Sequence, residues 1–148
     1  MPVRMELSRI LIRELTDIQL IELTEAEPAD GGSARSFPIV IGLAEAQAIE
    51  RRLAGIEPRR PQTHDLLAHV IGILGGALTS IEIHDLSEGT FFAALNIEID
   101  RGPEGGSVKV DARPSDAIAI GIATGVPIWV EEHVIEQAAT MRSDDSEF

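Results

Sequence analysis

The chain has 148 residues, 44% of them hydrophobic and 25% charged, with no cysteine and a net charge of −13. These values are those of one globular domain, and they exclude a disordered chain, a disulfide framework and a thiolate metal site. Since nucleic-acid affinity comes mainly from lysine and arginine facing phosphates, the charge also excludes a protein whose task is simply to hold nucleic acid.

The first half of the chain predicts three strands followed by two helices. Alternating apolar and polar residues indicate strands at residues 5–15, 18–26 and 37–41, with a turn or loop at 28–33. Apolar residues spaced by three and four predict the two helices, at residues 43–53 and 63–74. In the second of these helices we expect five buried side chains: Leu66, Leu67, Val70, Ile71 and Leu74.

The second half predicts three more strands, a helix, a short strand and a final helix. The strands are expected at residues 78–86, 90–99, 108–112 and 127–130. The helix at 115–123 is apolar nearly all round, and a helix without a polar face is buried. With a last helix at 131–139, this order predicts one α+β domain of mainly antiparallel sheet with about four helices over residues 1–140. Residues 141–148 are predicted to form an acidic, disordered tail.

In two sequence motifs, Arg-Pro stands just before a stretch whose apolar residues have helical spacing. These motifs are residues 60–66 (RPQTHDL) and 111–118 (DARPSDAI). Proline fits the first helical turn because its missing N–H has no partner there. Asp65 and Asp116 then satisfy free N–H groups and the positive end of each helix dipole. Capping requires neither the arginine before each proline nor His64. The two helix starts could therefore form a site, provided that they meet in space.

Positive charge clusters just ahead of the first motif, at Arg51, Arg52, Arg59 and Arg60. One interpretation is a solvated helix end followed by a loop. The other is a basic surface beside the two helix starts, which would attract an anionic substrate in an otherwise acidic protein.

The sequence resembles the bifunctional nuclease (BFN) domain family of bacteria and plants. The resemblance covers residues 5–139, and its motifs stand in the order of the family. They are Pro38–Gly42 with Glu45–Ile49, Arg60–Leu66, Gly89–Ala93, Asp111–Ala119 and Pro127–Val130. The resemblance implies a compact α+β domain that self-associates as a dimer or a higher oligomer. It also implies cleavage of RNA and DNA, which would be transient substrates.

Phosphodiester hydrolysis usually employs a hard divalent cation, and Mg²⁺ prefers carboxylate oxygens and water as ligands. Asp65, Asp111 and Asp116 are the candidate ligands of a Mg²⁺ or Mn²⁺ ion and, with His64 as a general base, the candidate catalytic residues. The candidate substrate-binding residues would clamp or bond the phosphate through guanidinium or hydroxyl groups: Arg60, Thr63, Arg113 and Ser115.

Structural roles stay open for each of these residues. Asp65 and Asp116 are also ordinary helix-start acids, and His64 could be a surface or capping histidine. Arg113 and Asp111 could pair across a turn to hold the fold. Phe91, Phe92 and Trp129 are interpreted as core or subunit-contact residues rather than as stacking platforms for bases. No role is assigned to the other histidines, which lack the spacing of metal ligands.

Two other functions compete with a nuclease. The domain could be a non-catalytic oligomeric scaffold or regulatory module, with the apolar helix at 115–123 as its subunit interface. It could also bind a small anionic metabolite at the paired helix starts, where anions are favoured. We expect no membrane association, because no apolar run approaches the roughly 18 residues of a span. The absence of cysteine and of a signal or transit peptide predicts a cytoplasmic location.

Overall fold

The described part of the chain contains seven strands and four helices, in the order predicted from the sequence. In the computed structural model of the chain, the described residues are 1–13, 15, 18–29, 32–100 and 102–145, the side chains of the last five excepted. The strands are β1 (Pro2–Leu11), β2 (Gln19–Glu25), β3 (Ser36–Ile41), β4 (Gly76–Ser87), β5 (Thr90–Ile99), β6 (Gly106–Ala112) and β7 (Ile128–Glu131). The helices are α1 (Leu43–Leu53), α2 (Thr63–Ile73), α3 (Pro114–Thr124) and α4 (Glu132–Asp145).

All seven strands join one sheet, in the order β3-β2-β1-β7-β4-β5-β6. The neighbours are antiparallel except β4 and β7, which run parallel. The short strand β7 lies between β1 and β4, so four residues unite the first three strands with the later three. The prediction of an α+β fold with a mainly antiparallel sheet is confirmed.

One face of the sheet carries the core. Ile81 and Ile83 of β4 and Val130 of β7 are buried on that face, whereas Glu82 and Glu131 turn to the other face. Helix α3 packs against the core face and is buried at every position from Pro114 to Gly121 except Asp116. The predicted burial of this helix is confirmed. The suggestion that it forms a subunit interface was wrong, because its own domain already covers it.

The close packing of α3 depends on Gly121. A Cβ atom at this position would meet the Ile81 side chain at 3.1 Å, closer than most packed carbon atoms approach. The absence of that Cβ lets the helix lie directly on β4. The helix then ends at Gly125, which adopts a left-handed conformation with φ of 71° and donates its N–H to the Gly121 carbonyl.

Helix α2 forms almost where it was predicted, but its predicted burial was wrong. None of its residues is buried, and only Ala68 and Ile71 pack partly against the core. Four of the five side chains expected inside are exposed by 40–65%: Leu66, Leu67, Val70 and Leu74. Periodicity showed that the helix has an apolar face but did not identify what covers that face.

Helix α4 continues to Asp145, beyond the predicted end at residue 139. The segment from Thr140 to Asp145 has no glycine or proline to stop the helix, and the first part of the predicted acidic tail is therefore helical. The rest of that tail, residues 146–148, and part of the predicted 28–33 loop lie outside the described residues. No helix in the described ranges is long and apolar enough to cross a membrane.

Candidate functional site

The N-termini of α1, α2 and α3 lie close together and are linked by side chains. Each of the three helices has one carboxylate in its first turn: Glu45 in α1, Asp65 in α2 and Asp116 in α3. Such carboxylates stabilise the positive end of the helix dipole. Here each one also contacts an arginine, and the network includes His64.

His64 and Asp116 connect the two helix starts that follow the Arg-Pro motifs. His64 Nε2 lies 2.9 Å from Asp116 Oδ1, with the two side chains 21% and 30% exposed. The second oxygen of Asp116 accepts a 2.9 Å hydrogen bond from Arg113 Nε, and Arg113 Nη2 donates to Glu45 Oε1 at 2.8 Å. The requirement that the two starts meet in space is therefore satisfied. His64, Asp116, Arg113 and Glu45 are called the contact chain below.

The contacts of Asp116 indicate which imidazole nitrogen of His64 is protonated. Burial raises the pKa of Asp116, but hydrogen bonds from His64 and Arg113 outweigh this effect and hold it below its ordinary value. A carboxylate that stays ionised can only accept hydrogen bonds, so the neutral imidazole donates from Nε2. Its Nδ1 then has a free lone pair, and no hydrogen-bond partner for this atom occurs among the described residues. This arrangement suits a general base.

The same bonds keep Arg113 charged. Hydrogen bonds from its guanidinium to Asp116 and Glu45 raise the pKa of Arg113 above its ordinary value. Its side chain is 67% exposed, and its Nη1 group makes no hydrogen bond or ion pair with another described residue. Arg113 can therefore bind a phosphate oxygen while it still holds Asp116.

Glu45 and Gly42 belong to this site and were not singled out from the sequence. A Cβ atom at position 42 would collide with the Glu45 carboxylate, so glycine lets this carboxylate fold back and meet Arg113. The available signal was a glycine three residues before a glutamate at a helix start, but that pattern is common in ordinary caps.

Asp65 performs the capping role that the sequence left open for it. Its carboxylate accepts a 3.0 Å hydrogen bond from the Gln62 backbone N–H and one from Arg52, while Arg51 bonds the Gln62 side chain. These contacts tie the end of α1 to the start of α2. They also place Arg51 and Arg52 beside His64, with which both line one small cavity.

The other basic and hydroxyl candidates on this side are exposed. Arg59 and Arg60 lie in the loop before α2, and Thr63 is the first residue of that helix. None of the three has an ion pair or a side-chain hydrogen bond with a described residue.

Asp111 faces the opposite side of the sheet. Its neighbour Ala112 packs against the core, so alternation along β6 turns Asp111 to the other face, where it lines a concave surface with Lys109. Asp65 and Asp116 already accept hydrogen bonds on both carboxylate oxygens. Among the described residues, no three His, Asp or Glu side chains converge as metal ligands. Asp65, Asp111 and Asp116 therefore do not come together as the ligands of one ion.

A cavity of about 520 Å³ opens on the other side of Arg113. Strand β3, the β4–β5 turn and the start of α3 line it, and Ser115 lies in its wall. Phe91 also lines the cavity and stacks on Phe37 with ring centroids 5.6 Å apart. Phe91 was interpreted as a core or subunit-contact residue, and it contributes to both the core and the cavity wall.

Comparisons with known proteins agree with the motifs. The sequence profile of the bifunctional nuclease domain matches residues 28–143. Two proteins of Mycobacterium tuberculosis, named Uncharacterized protein Rv1829 and Uncharacterized protein MT1877, are each 48% identical to this chain over 113 residues. The match covers 76% of this chain and 65% of each relative, just under two thirds of their length. The profile spans the whole contact chain, and the protein belongs to the bifunctional nuclease domain family.

Proposed function

We propose that this protein hydrolyses phosphodiester bonds of RNA and DNA at the contact chain. The observation that supports this proposal best is the 2.9 Å contact between His64 and Asp116, which joins two helix starts and leaves Nδ1 of the imidazole without a partner among the described residues. Family membership supports the same class of reaction. The adjacent arginines supply the positive charge that the chain as a whole lacks.

In the proposed reaction, Nδ1 of His64 accepts a proton from a water molecule as its oxygen attacks phosphorus. Asp116 accepts the Nε2 hydrogen bond and stabilises the imidazolium that forms. The bond from phosphorus to the leaving oxygen breaks, and that oxygen takes a proton from solvent. Arg113, with Arg51 and Arg52 nearby, binds the phosphate oxygens as their charge increases. A role for Mg²⁺ or Mn²⁺ stays a prediction, and these steps do not use one.

The test is cleavage of labelled single-stranded RNA and DNA by the purified protein and by His64→Ala, with Mg²⁺, Mn²⁺ or EDTA. We expect His64→Ala to lower the rate by roughly 10²–10⁴, the usual contribution of a general base. His69→Ala is the matched control, because His69 is an exposed histidine on the same helix. Circular dichroism checks that both variants fold. Equal cleavage by the two variants would place the activity elsewhere, and loss of cleavage in EDTA would support the predicted metal.

We also propose that the chain self-associates through α2. Five apolar side chains of this helix are exposed by 40–71%: Leu66, Leu67, Val70, Ile73 and Leu74. Monomers rarely expose contiguous apolar patches beyond a few hundred Å². This surface also supports the second candidate function, a non-catalytic oligomeric scaffold, which predicts assembly without cleavage. The cytoplasmic location is proposed on the absence of cysteine, which suits a reducing compartment.

A further inference from the structure

The cavity beside Arg113 has one polar end, at the start of α3. Arg113 is the N-cap residue of this helix and makes no side-chain capping hydrogen bond. Proline at the next position has no N–H, so the free backbone donors of this turn belong to Ser115 and Asp116. Donors of this kind, with the helix dipole behind them, favour an anion.

Ser115 provides an independent sign of a ligand. Its exposure is only 6%, it lines the cavity, and its hydroxyl has no hydrogen-bond partner among the described residues. Every fully buried side-chain nitrogen or oxygen in the described part of the chain is satisfied, so the hydroxyl oxygen of Ser115 is accessible from the cavity. It can donate to a group bound there.

The rest of the cavity wall is apolar. Ile39 and Ile41 of β3 and Phe91 of β5 contribute to it from the core face of the sheet, whereas Val40, which also borders the cavity, points to the other face by strand alternation. The stack of Phe91 on Phe37 fixes the ring that faces the cavity. A flat apolar group bound here would cover this wall and exclude water from it.

We propose that the cavity binds one nucleotide of the substrate, with its phosphate at the start of α3 and its base on the apolar wall. This inference rests on the proposed function, because it adds a substrate subsite next to the contact chain. Arg113 is shared by both regions, and it contacts the bound phosphate while it holds Asp116. The wall meets the face of the base rather than its edges, so binding is independent of base identity.

The test is calorimetric titration of the intact protein with 5′-AMP, 5′-dCMP, adenosine and inorganic phosphate. We expect the two nucleotides to bind with affinities within a few-fold of each other. Adenosine and inorganic phosphate should each bind at least tenfold more weakly, because each fills one end of the cavity. Equal binding of inorganic phosphate and 5′-AMP, or no binding of either nucleotide at millimolar concentration, overturns the proposal.

Two variants test the two ends. Ser115→Ala should weaken 5′-AMP binding about tenfold, the usual loss for a hydrogen bond to a charged group. Its melting temperature should stay the same or rise, since the lost hydroxyl bonds none of the described residues. Phe91→Ala, checked for folding by circular dichroism, should weaken 5′-AMP binding roughly tenfold or more by removing the ring from the wall. Ser107→Ala, an exposed serine of β6, is the control and should bind like the original protein. Unchanged 5′-AMP affinity in Ser115→Ala overturns the proposal.

This inference and the proposed nuclease activity fail separately. If the protein binds 5′-AMP through Ser115 but cleaves no nucleic acid, the nucleotide site stands and the nuclease proposal fails. If His64→Ala abolishes cleavage and the original protein binds no nucleotide, the nuclease proposal stands and the nucleotide site fails.

Discussion

At the scale of single residues, the contact chain combines features that separate a site from ordinary helix capping. Asp65 accepts hydrogen bonds from its own helix start and from Arg52, and these contacts account for both of its oxygens. Asp116 instead bonds His64 of another helix and Arg113. A capping carboxylate needs no histidine from a neighbouring helix, so Asp116 is the first-turn acid that we expect to participate in chemistry.

Exchanging single carboxylates for amides tests this distinction. Asp116→Asn should lower cleavage roughly 10²-fold or more, because the amide can donate to His64 Nε2 and so favour the wrong tautomer. Asp111→Asn should retain cleavage, since Asp111 lies on the opposite face of the sheet. Single-turnover rates on labelled RNA compare the two variants. A large loss in Asp111→Asn together with a small loss in Asp116→Asn would contradict the assignment.

The residue types of the site were predictable from the sequence, but their partners were not. Arg-Pro motifs at two helix starts indicated His64, Arg113 and Asp116, because capping alone does not require all three. Spacing along the chain contains no information about pairs separated by more than 50 residues, such as His64 and Asp116. Asp111 was grouped with these residues because it is close to Arg113 in the sequence. Its side chain lies on the opposite face of the sheet because side chains alternate along a strand.

At the scale of elements, the order of strands and helices followed directly from hydrophobic periodicity. The exposure of α2 did not, because a period of three and four residues identifies an apolar face but not its covering surface. In α3 the sequence is apolar nearly all round, and this stronger signal correctly predicted burial within the domain. The position of β7 between β1 and β4 depends on contacts that no local pattern encodes.

Helix α2 leads to a prediction about assembly. Ile73→Glu should convert an oligomer into a 15.9 kDa monomer, because residue 73 is 71% exposed within one chain and a charge would be costly only inside an interface. Light scattering after size-exclusion chromatography measures the mass. Leu15→Glu is the control, since Leu15 is fully exposed and lies outside α2. A monomeric original protein, or an oligomer that persists in Ile73→Glu, would refute assembly through this helix.

A second prediction at this scale concerns Arg35, which joins β2 to α4. Arg35 Nε lies 2.7 Å from Glu25 Oε1, and its Nη2 donates to Glu132 Oε2 at 3.1 Å. These hydrogen bonds hold the pKa values of Glu25 and Glu132 below their ordinary value of 4.5. Both carboxylates therefore bind protons more readily in the unfolded protein than in the folded protein. The stabilisation is fully present above about pH 4.5 and is lost as the pH falls through the folded pKa values.

Arg35→Gln should lower the free energy of unfolding by up to about 1 kcal/mol at pH 7, the scale of a partly exposed ion pair. The loss should shrink as the pH falls below 4.5, because the original protein loses the same contacts there. Urea midpoints between pH 7 and pH 3 measure both effects. Arg9→Gln is the control, since Arg9 is exposed and has no ion pair with a described residue. A loss independent of pH would show that Arg35 acts through packing.

At the scale of the whole molecule, the net negative charge of the protein and the positive charge of the arginines at the proposed site have opposite effects on a nucleic-acid substrate. A net charge of −13 repels a polyanion at long range, whereas in the proposed site Arg51, Arg52 and Arg113 would attract phosphate locally. Long-range repulsion depends on ionic strength, because the screening length falls from about 30 Å at 0.01 M salt to about 8 Å at 0.15 M. Contacts within the site are shorter than either length and change less.

These opposite effects predict that kcat/KM depends on salt in a different way for long and for short substrates. For a long RNA, kcat/KM should rise as NaCl increases from 10 to 150 mM, since added ions screen the acidic body of the protein. For a dinucleotide, which carries a single phosphodiester, kcat/KM should change much less over the same range. Initial rates on both substrates at fixed enzyme concentration measure the two curves. A steep fall for the long RNA, the behaviour of proteins that bind through many phosphate contacts, would show that the arginine surface outweighs the net charge.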